Sequence, residues 1–381
     1  MLMSTARTVT DGYADIEAVP ERIGTFVSLY AGAGGLDTGF ALAGFTPTWV
    51  SELDPFAMDS HRDALKRLAD SRPHLQGITY EEHVGDLLNL PDEQLPAEGS
   101  ADLVIGGPPC QGFSVAGKMN PNDERSKHVF HFLDIVERVQ PKAFLLENVK
   151  ALYSNRRWAA IRDALIARAE DMGYNTLLTL ANASHFGVPQ ARERMFLIGV
   201  RRDVGTPEAP APTTQDAPPT VRHALATLPP YGAPGNDSKC AAKITLAKAP
   251  VLRRSPYAGM LFNGAGRPLN LDAPAGTLAA SMGGNKTPII DQNVVTNHEG
   301  RSWVVDYHDS LWSNGLGPAA SEPPSHLRRL TVEEAAAIQT FPVGMKWHGS
   351  RSAQYKQIGN AVPPRLAYAA ALAMIRSIGH N

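Results

Sequence analysis

The stretch 106–114, Gly-Gly-Pro-Pro-Cys-Gln-Gly-Phe-Ser, carries one of the two cysteines of the chain. It directly follows the apolar run 103–105, Leu-Val-Ile, which predicts a buried strand that ends in a turn at the glycines and prolines. Reacting groups in open α/β sheets collect in the loops at the carboxyl ends of the strands. We therefore predict that Cys110 is a presented nucleophile. The alternative is a buried structural cysteine, which is the commoner fate of a free thiol.

A carboxylate and two arginines are placed in a similar way. Glu147 follows the apolar stretch 143–146, and a charge directly after a buried strand is costly unless it is hydrogen-bonded or used in chemistry. Arg192 and Arg194 stand at the start of the strand-like run 195–200 and, with period-two alternation, should face the same way. Paired guanidinium groups suit a phosphate or a polarised carbonyl group, and the alternative is a solvated edge pair.

A glycine-rich turn at 31–35 stands between a predicted strand, 25–30, and a helix-like segment. This order is typical of nucleotide-cofactor sites, because glycines let the cofactor approach the backbone and the helix start offers free N–H groups. The turn lacks GxGxxG spacing, which argues against a dehydrogenase. Glu52, at the end of the second predicted strand, is placed to accept hydrogen bonds from ribose hydroxyls. Asp86 either accepts from an adenine amino group or caps a turn.

The predicted elements divide the chain into parts of different character. Strands and helices alternate over 21–202, which predicts an α/β fold with a mostly parallel sheet. A shift to Pro-rich and then Gly-rich, short-stranded sequence predicts a smaller irregular domain and a hinge over 203–353. Residues 354–381, with an apolar helix at 366–378, should pack against the first domain and complete it. Residues 1–20 lack periodicity and predict a flexible tail.

One further segment is a candidate for movement, and another is a candidate for contact with a polyanion. The polar stretch 115–127 beside Cys110 predicts a mobile loop that acts as a lid. The Gly-rich segments within 203–325 carry basic side chains suited to phosphates and base edges, although an ordinary loop-rich insertion has the same appearance. These side chains are Arg253, Arg254, Arg267 and Lys286.

Composition limits the class of protein. With 381 residues, of which 43% are hydrophobic, the chain can bury a sizeable core. The two cysteines form no CxxC pair, so we expect neither a disulfide framework nor a metal site. The lack of a long apolar run and of a basic-then-apolar start predicts no membrane partner and a cytoplasmic location. The formal charge of −2 leaves nucleic acid open as a partner, because binding needs only a local basic face.

Taken together and in order, these motifs resemble those of the cytosine carbon-5 DNA methyltransferases over nearly the whole chain. The matched signatures are the Gly-rich turn, Glu52, Pro108–Cys110, Glu147–Val149, Gln190–Arg194, Arg328–Thr331 and Gly359–Pro364. Minor departures are Tyr30, where the family usually has Phe, and Gly112 beside the thiol. The resemblance implies a Rossmann-like sheet that depends on S-adenosylmethionine. It also implies a target-recognition region at 203–325.

The resemblance implies a mechanism as well. Cys110 would attack carbon 6 of cytosine, which prepares carbon 5 to take a methyl group from S-adenosylmethionine. Glu147 would donate a proton to ring nitrogen 3, and Arg192 would stabilise the carbonyl group of the base. Arg194 would be a further catalytic residue. The target base would first be flipped out of double-stranded DNA, under the closed lid.

The resemblance extends to the cofactor and DNA contacts. The residues expected at the cofactor are Phe26, Ala31, Gly32, Gly34, Gly35, Leu36, Glu52, Leu53, Asp86, Pro108, Asn360 and Val362. Those expected at DNA are Gln111, Ser114, Arg125, Arg253, Arg254, Arg267, Thr277 and Lys286. A monomer and a cognate restriction endonuclease that acts separately are further expectations. Two alternatives stay open, namely methylation of cytosine in transfer RNA and a catalytically silent DNA-binding module.

Overall fold

The structure is a computed structural model that describes residues 11–109, 127–297, 300–314 and 322–379. Cys110, Gln111, Ser114 and Arg125 therefore lie outside the described residues, as does the predicted lid up to residue 126. The last residue of the predicted lid, Lys127, is the first residue of a helix.

The strands and helices within these ranges are numbered in chain order. The strands are β1 (Gly24–Leu29), β2 (Phe45–Glu52), β3 (Glu81–Val84), β4 (Leu103–Gly106), β5 (Ala143–Val149), β6 (Tyr174–Asn182), β7 (Gln190–Ala191), β8 (Glu193–Arg201), β9 (Leu246–Val251), β10 (Met260–Phe262), β11 (Ala275–Gly276), β12 (Ile289–Asp291) and β13 (Leu327–Arg329). The helices are α1 (Gly35–Leu42), α2 (Pro55–Ala69), α3 (Lys127–Val139), α4 (Lys150–Ser154), α5 (Ala159–Asp171), α6 (Val221–Leu225), α7 (Gln292–Asn297), α8 (Trp303–Asn314), α9 (Val332–Ile338), α10 (Arg351–Asn360) and α11 (Pro364–Ser377). Among the helices of the described ranges, none has the length and apolar character that crossing a membrane requires.

Seven strands form one central sheet in the order β3-β2-β1-β4-β5-β8-β6. The first five are parallel, with Phe26 of β1 opposite Leu103 of β4 and Leu103 opposite Ala143 of β5. β8 runs antiparallel to both of its neighbours. Parallel strands that are covered on both faces are nearly continuous apolar runs, and β4 and the first half of β5 are of this kind. The predicted α/β fold with a mostly parallel sheet is confirmed.

Helices cover both faces of the sheet. Side chains alternate along β1, so Phe26 belongs to the core that contains α11 residues, whereas Val27 and Leu29 belong to the core that contains α3 residues. Leu366 and Met374 of α11 are fully buried, and this helix packs along α1. The closing helix therefore packs against the first part of the chain, as its apolar sequence predicts.

The predicted flexible tail is wrong for residues 11–16. Tyr13 is 1% exposed, and its hydroxyl donates to the carbonyl oxygen of Thr340 at 2.5 Å. Ile16 lies in the same small core as Leu65 and Leu68 of α2. Two anchoring side chains in an otherwise polar stretch leave no periodic pattern, which is why the sequence does not reveal the docking of this segment.

Residues 244–327 contribute a small core of their own. β9 and β10 form an antiparallel hairpin, and Phe262 of this hairpin packs with Tyr307 of α8. β12 pairs with β13, which leads into α9. Residues of α9 and α10 share a further core with Ala33 and Ala64 of the first part of the chain. The irregular segment is thus connected to the central sheet through packed helices.

Candidate active site

The turn after β4 lies against the carboxyl end of β5. An added Cβ at Gly107 would lie 2.7 Å from Oε2 of Glu147, so a larger residue would displace the acid. The carbonyl oxygen of Pro108 accepts a hydrogen bond from Nδ2 of Asn148 at 3.2 Å. These contacts bring the segment directly before Cys110 against Glu147.

Glu147 is 8% exposed and forms an ion pair with Arg194, whose Nε lies 2.7 Å from Oε1. Burial raises the pKa of Glu147, and the positive charges of Arg194 and Arg192 oppose this rise without cancelling it. The carboxyl group therefore keeps its proton to higher pH than an ordinary glutamate does. A buried acid of this kind is suited to donate a proton to a ring nitrogen.

Arg192 has different partners from Arg194. It lies just before β8, is fully buried, and donates to the carbonyl oxygens of Leu278 at 3.0 Å and Gly359 at 2.7 Å. Arg194 is the arginine whose side chain lies beside Glu147. The contacts therefore do not support the prediction that Arg192 steadies a base carbonyl, and they make Arg194 the better candidate. Alternation along a strand predicts only the direction of a side chain, whereas these partners come from distant parts of the chain.

Gln190 and Thr277 extend the connection between the sheet and the irregular segment. Oε1 of Gln190 accepts from the N–H of Leu278 at 2.9 Å, and Oγ1 of Thr277 donates to the carbonyl oxygen of Ala191 at 3.0 Å. Thr277, which the resemblance places at DNA, is exposed, but its hydroxyl is engaged here. Sequence reasoning predicts no individual role for Gln190, although a glutamine two residues before paired arginines is a recognisable pattern.

The Gly-rich turn is held by a carboxylate. Oε2 of Glu52 accepts from the N–H of Gly32 at 2.8 Å, and Oε1 accepts from the N–H of Asp54 at 3.0 Å. Burial raises the pKa of Glu52 more than these donors lower it. Gly32 has a φ of 58°, and an added Cβ there would meet nothing within 4 Å. The turn therefore has open space on this side, next to a carboxylate with lone pairs left to accept further hydrogen bonds.

Other predicted cofactor residues have packing roles. An added Cβ at Gly35 would lie 2.2 Å from the carbonyl oxygen of Val362, so the turn and the segment after α10 are in close contact. Leu36 lies in the sheet core, and the N–H of Ala31 donates to the backbone of β2. Asn360, the last residue of α10, is exposed two positions before the contact with Gly35.

The structure corrects the placement of Phe26. Its ring is fully buried in the sheet core, with its centroid 6.2 Å from that of Phe40, and it lies three residues before the end of β1. Tyr30 is the aromatic residue that directly precedes the Gly-rich turn, and its hydroxyl lies 3.2 Å from Nδ1 of His128. Tyr30 has a φ of 58°. A residue other than glycine in the left-handed region is strained, and such strain is concentrated at functional sites.

Leu53 and Asp86 lie in the neighbouring turns that follow β2 and β3. The N–H of Gly85 donates to the carbonyl oxygen of Glu52 at 2.9 Å, which aligns the two turns. Leu53 is 67% exposed. The carboxylate of Asp86 accepts from the N–H of Leu88 at 3.1 Å, so the turn-cap alternative is observed. Contact of Asp86 with an adenine stays a prediction.

The predicted basic DNA contacts are exposed on loops. Arg253 and Arg254 lie between β9 and β10, Arg267 lies before the bridge of Pro268 with β12, and Lys286 lies in the short turn before β12. Within the part of the chain that the structure describes, these four side chains form no ion pair. Exposed cations on loops are suited to phosphates or base edges.

The chain is similar to known proteins over most of its length. The family model described as C-5 cytosine-specific DNA methylase matches residues 24–376. Type II methyltransferase M.FnuDI of Fusobacterium nucleatum is 31% identical over 347 residues, which cover 90% of this chain and 91% of that protein. Type II methyltransferase M.PspPI of Psychrobacter sp. is 32% identical over 368 residues, which cover 94% of this chain and 80% of that protein. The solved structure of the Entamoeba histolytica methyltransferase EhMeth, 14% identical, shares the fold with a TM-score of 0.60 over 92% of this chain and 98% of its own.

The chain belongs to the C-5 cytosine-specific DNA methylases, because the family model spans nearly its whole length and relatives above 30% identity cover most of it. It is an enzyme, a DNA cytosine-5-methyltransferase. The resemblance that the sequence motifs indicate is thereby confirmed.

Proposed function

We propose that the protein transfers a methyl group from S-adenosylmethionine to carbon 5 of cytosine within a specific sequence of double-stranded DNA, after the target base has been flipped out of the duplex. The observation that carries the proposal is the buried Glu147–Arg194 pair, which lies against Gly107 just before the Pro-Pro-Cys turn. A buried acid with a raised pKa, next to the segment that leads to Cys110, is suited to assist the addition of a thiolate to a cytosine ring.

Each protein group in this proposal has a defined chemical task. The sulfur of Cys110 forms a bond to carbon 6, and Glu147 gives its proton to ring nitrogen 3, so no full negative charge develops on the ring. Electron density then rises at carbon 5. Once carbon 5 carries the methyl group, ring nitrogen 3 returns its proton to Glu147. Loss of the proton from carbon 5 to water then restores the ring double bond and releases the sulfur of Cys110 as a thiolate. Arg194 holds Glu147 in place and is near enough to the acid to donate to the base carbonyl.

The Gly-rich turn fits S-adenosylmethionine. The open space over Gly32 and the carboxylate of Glu52 form a cradle for the ribose hydroxyls. The exposed side chain of Leu53 supplies an apolar surface for the adenine, with Asp86 in the neighbouring turn. Asn360 is assigned to the methionine end by the family resemblance. When bound, S-adenosylmethionine supplies the electrophilic methyl group.

Glu52→Ala is expected to weaken the binding of S-adenosylmethionine about 10- to 100-fold, because a hydrogen bond to a charged group contributes about 1.5–3 kcal/mol. The affinity for DNA should change much less. Calorimetric titration of the folded variant with S-adenosylmethionine measures the effect. Glu82→Ala is the control, because it removes a carboxylate of the neighbouring strand β3 that pairs with Arg62. An unchanged Kd for Glu52→Ala would mean that the end of β2 does not hold the cofactor.

We also propose that residues 203–325 select the DNA sequence. Support comes from the separate small core of 244–327 and from the exposed basic side chains on its loops. Phosphate contacts position a protein on DNA, whereas contacts with base edges specify the sequence.

Replacing residues 203–325 by the corresponding segment of a relative with a different target should therefore move the methylated sequence and leave the chemistry unchanged. A second chimera should retain residues 274–280, because Leu278 contacts Gln190 and Arg192, which lie outside the exchanged segment. Bisulfite sequencing of DNA from a host that expresses each chimera identifies the methylated sites. An active chimera that still methylates the original sequence would contradict the assignment.

The names of the relatives, type II methyltransferases, support a role of this chain in a restriction-modification system. We propose that it acts in the cytoplasm and that a cognate endonuclease acts separately. The proposed function is tested by expression in a host without cytosine methylation, followed by bisulfite sequencing and by tritium transfer from labelled S-adenosylmethionine to DNA and to transfer RNA. We expect 5-methylcytosine at one DNA sequence. Label in transfer RNA alone would favour the RNA alternative. DNA binding without any label would favour the silent binding module.

A further inference from the structure

Three polar side chains beneath the Gly-rich turn form a chain of contacts in the protein interior. Oγ of Ser28, one residue before the end of β1, donates to Oδ1 of Asp37 at 2.7 Å. Oδ2 of Asp37 accepts from Nε2 of His61 in α2 at 2.8 Å. All three side chains are fully buried. Burial of an ionisable pair is costly even when the pair is well bonded. Hydrophobic residues of similar volume would therefore often stabilise the fold as well or better at these positions.

The network supports the turn from below. An added Cβ at Gly34 would lie 2.7 Å from Cδ2 of His61, so the imidazole ring lies directly against this glycine. Gly34 has a φ of 80° and is the residue that precedes α1. Asp37 lies in the first turn of α1, where the helix dipole stabilises a carboxylate. His61 and Asp37 therefore fix the backbone of Gly34 relative to the start of α1.

The other side of the turn is fixed by Glu52, which accepts from the N–H of Gly32. α2 joins the two supports. Asp54 caps the start of α2 and donates its own N–H to Glu52, and His61 lies further along the same helix. The short backbone segment from Gly32 to Gly34 is thus held at one end by Glu52 and at the other by the side chain of His61, which its hydrogen bond to Asp37 fixes in place.

We propose that Asp37 and His61 are positioning residues for S-adenosylmethionine: they hold the Gly-rich turn in the conformation that accepts the cofactor. This inference rests on the cofactor site proposed above. Neither side chain contacts the cofactor, because both are buried beneath the turn and act through Gly34. A turn that is released from this support populates other conformations. The apparent affinity for S-adenosylmethionine then falls in proportion to the fraction of protein whose turn is in the binding conformation.

The pair of variants His61→Phe and His61→Gln tests the proposal. Phenylalanine keeps a ring beneath Gly34 but removes the N–H donor, whereas glutamine keeps a donor of similar reach. We expect the calorimetric Kd for S-adenosylmethionine to rise about tenfold in His61→Phe and to be largely restored in His61→Gln. The turnover rate at saturating cofactor and the affinity for DNA should stay within about twofold of wild type, since only cofactor binding is affected.

A second readout uses the protein without cofactor. Amide hydrogen exchange at residues 32–35 should be faster in His61→Phe than in wild type, because the turn opens more often. His74→Phe is the matched control. His74 contacts the carbonyl oxygen of Ala41 at 2.8 Å, at the opposite end of α1, and its loss should leave both the Kd and the exchange at 32–35 unchanged.

Folded His61→Phe that binds S-adenosylmethionine as wild type does would overturn the proposal, and so would an equal loss of affinity in His74→Phe. If His61→Phe does not fold, Ser28→Ala removes one oxygen from the same network. About threefold weaker binding is then expected, and unchanged binding would overturn the proposal. Wild-type protein that binds no S-adenosylmethionine would refute the proposed cofactor site itself.

Discussion

Cys110→Ser should lower the rate of methyl transfer by on the order of 10⁴-fold or more, because loss of the nucleophile removes the covalent route altogether. A serine hydroxyl is far less ionised than a thiol near neutral pH, so its oxygen does not replace the sulfur. Tritium transfer from labelled S-adenosylmethionine into a duplex that contains the target sequence measures the rate. The affinities for DNA and for cofactor should stay close to wild type.

Cys240→Ser is the control for this variant. Cys240 is the other cysteine of the chain, and its sulfur lies 3.5 Å from the carbonyl oxygen of Gly284 in the irregular segment. Methylation by Cys240→Ser should proceed at about the wild-type rate. Retained turnover in Cys110→Ser would remove Cys110 from the mechanism.

Glu147→Gln should lower the rate about 10²- to 10⁴-fold, the usual contribution of a positioned general acid. Glutamine keeps the size of the side chain and an oxygen for Arg194, but it has no acidic proton for ring nitrogen 3. Single-turnover methylation at saturating DNA and cofactor isolates the chemical step. The binding of both ligands should change little.

The pH dependence follows from the raised pKa of Glu147. The protonated form is the active one, so the wild-type rate should fall as pH rises through this raised pKa, and the fall should be absent in Glu147→Gln. The folded protein also holds this proton more tightly than the unfolded chain does. Its contribution to stability is therefore complete below the ordinary glutamate pKa and is lost as pH rises through the folded one. The same fall of rate with pH in both proteins would assign the proton to another group.

The central strands can be predicted from sequence because parallel strands covered on both faces are apolar throughout. β4 and β5 are such runs, and the glycines after Ile105 and the charge of Glu147 mark where each one reaches the edge of the sheet. The residue pattern alone therefore identifies where these two strands end, at the edge of the sheet that we propose carries the chemistry. The burial of α11 can also be predicted from sequence, because this helix is mainly apolar.

Partners that come from distant parts of the chain cannot be predicted in this way. Arg192 binds backbone atoms of Leu278 and Gly359, which are 86 and 167 positions away, and strand alternation contains no information about them. The hydrogen bond from the hydroxyl of Tyr13 to the carbonyl oxygen of Thr340 cannot be predicted from sequence for the same reason. The resemblance assigns Phe26 to the cofactor, but β1 continues for three more residues and leaves that ring in the core.

The covalent addition of Cys110 to carbon 6 is tested most directly with a duplex that carries 5-fluorocytosine at the target position. Fluorine cannot leave carbon 5 as a proton does, so the adduct persists once the methyl group has been transferred. We expect a protein–DNA complex that survives denaturation, with the modified base on the peptide that contains Cys110 by mass spectrometry. An active wild-type enzyme that gives no such complex, or an equal amount of complex with Cys110→Ser, would contradict the mechanism.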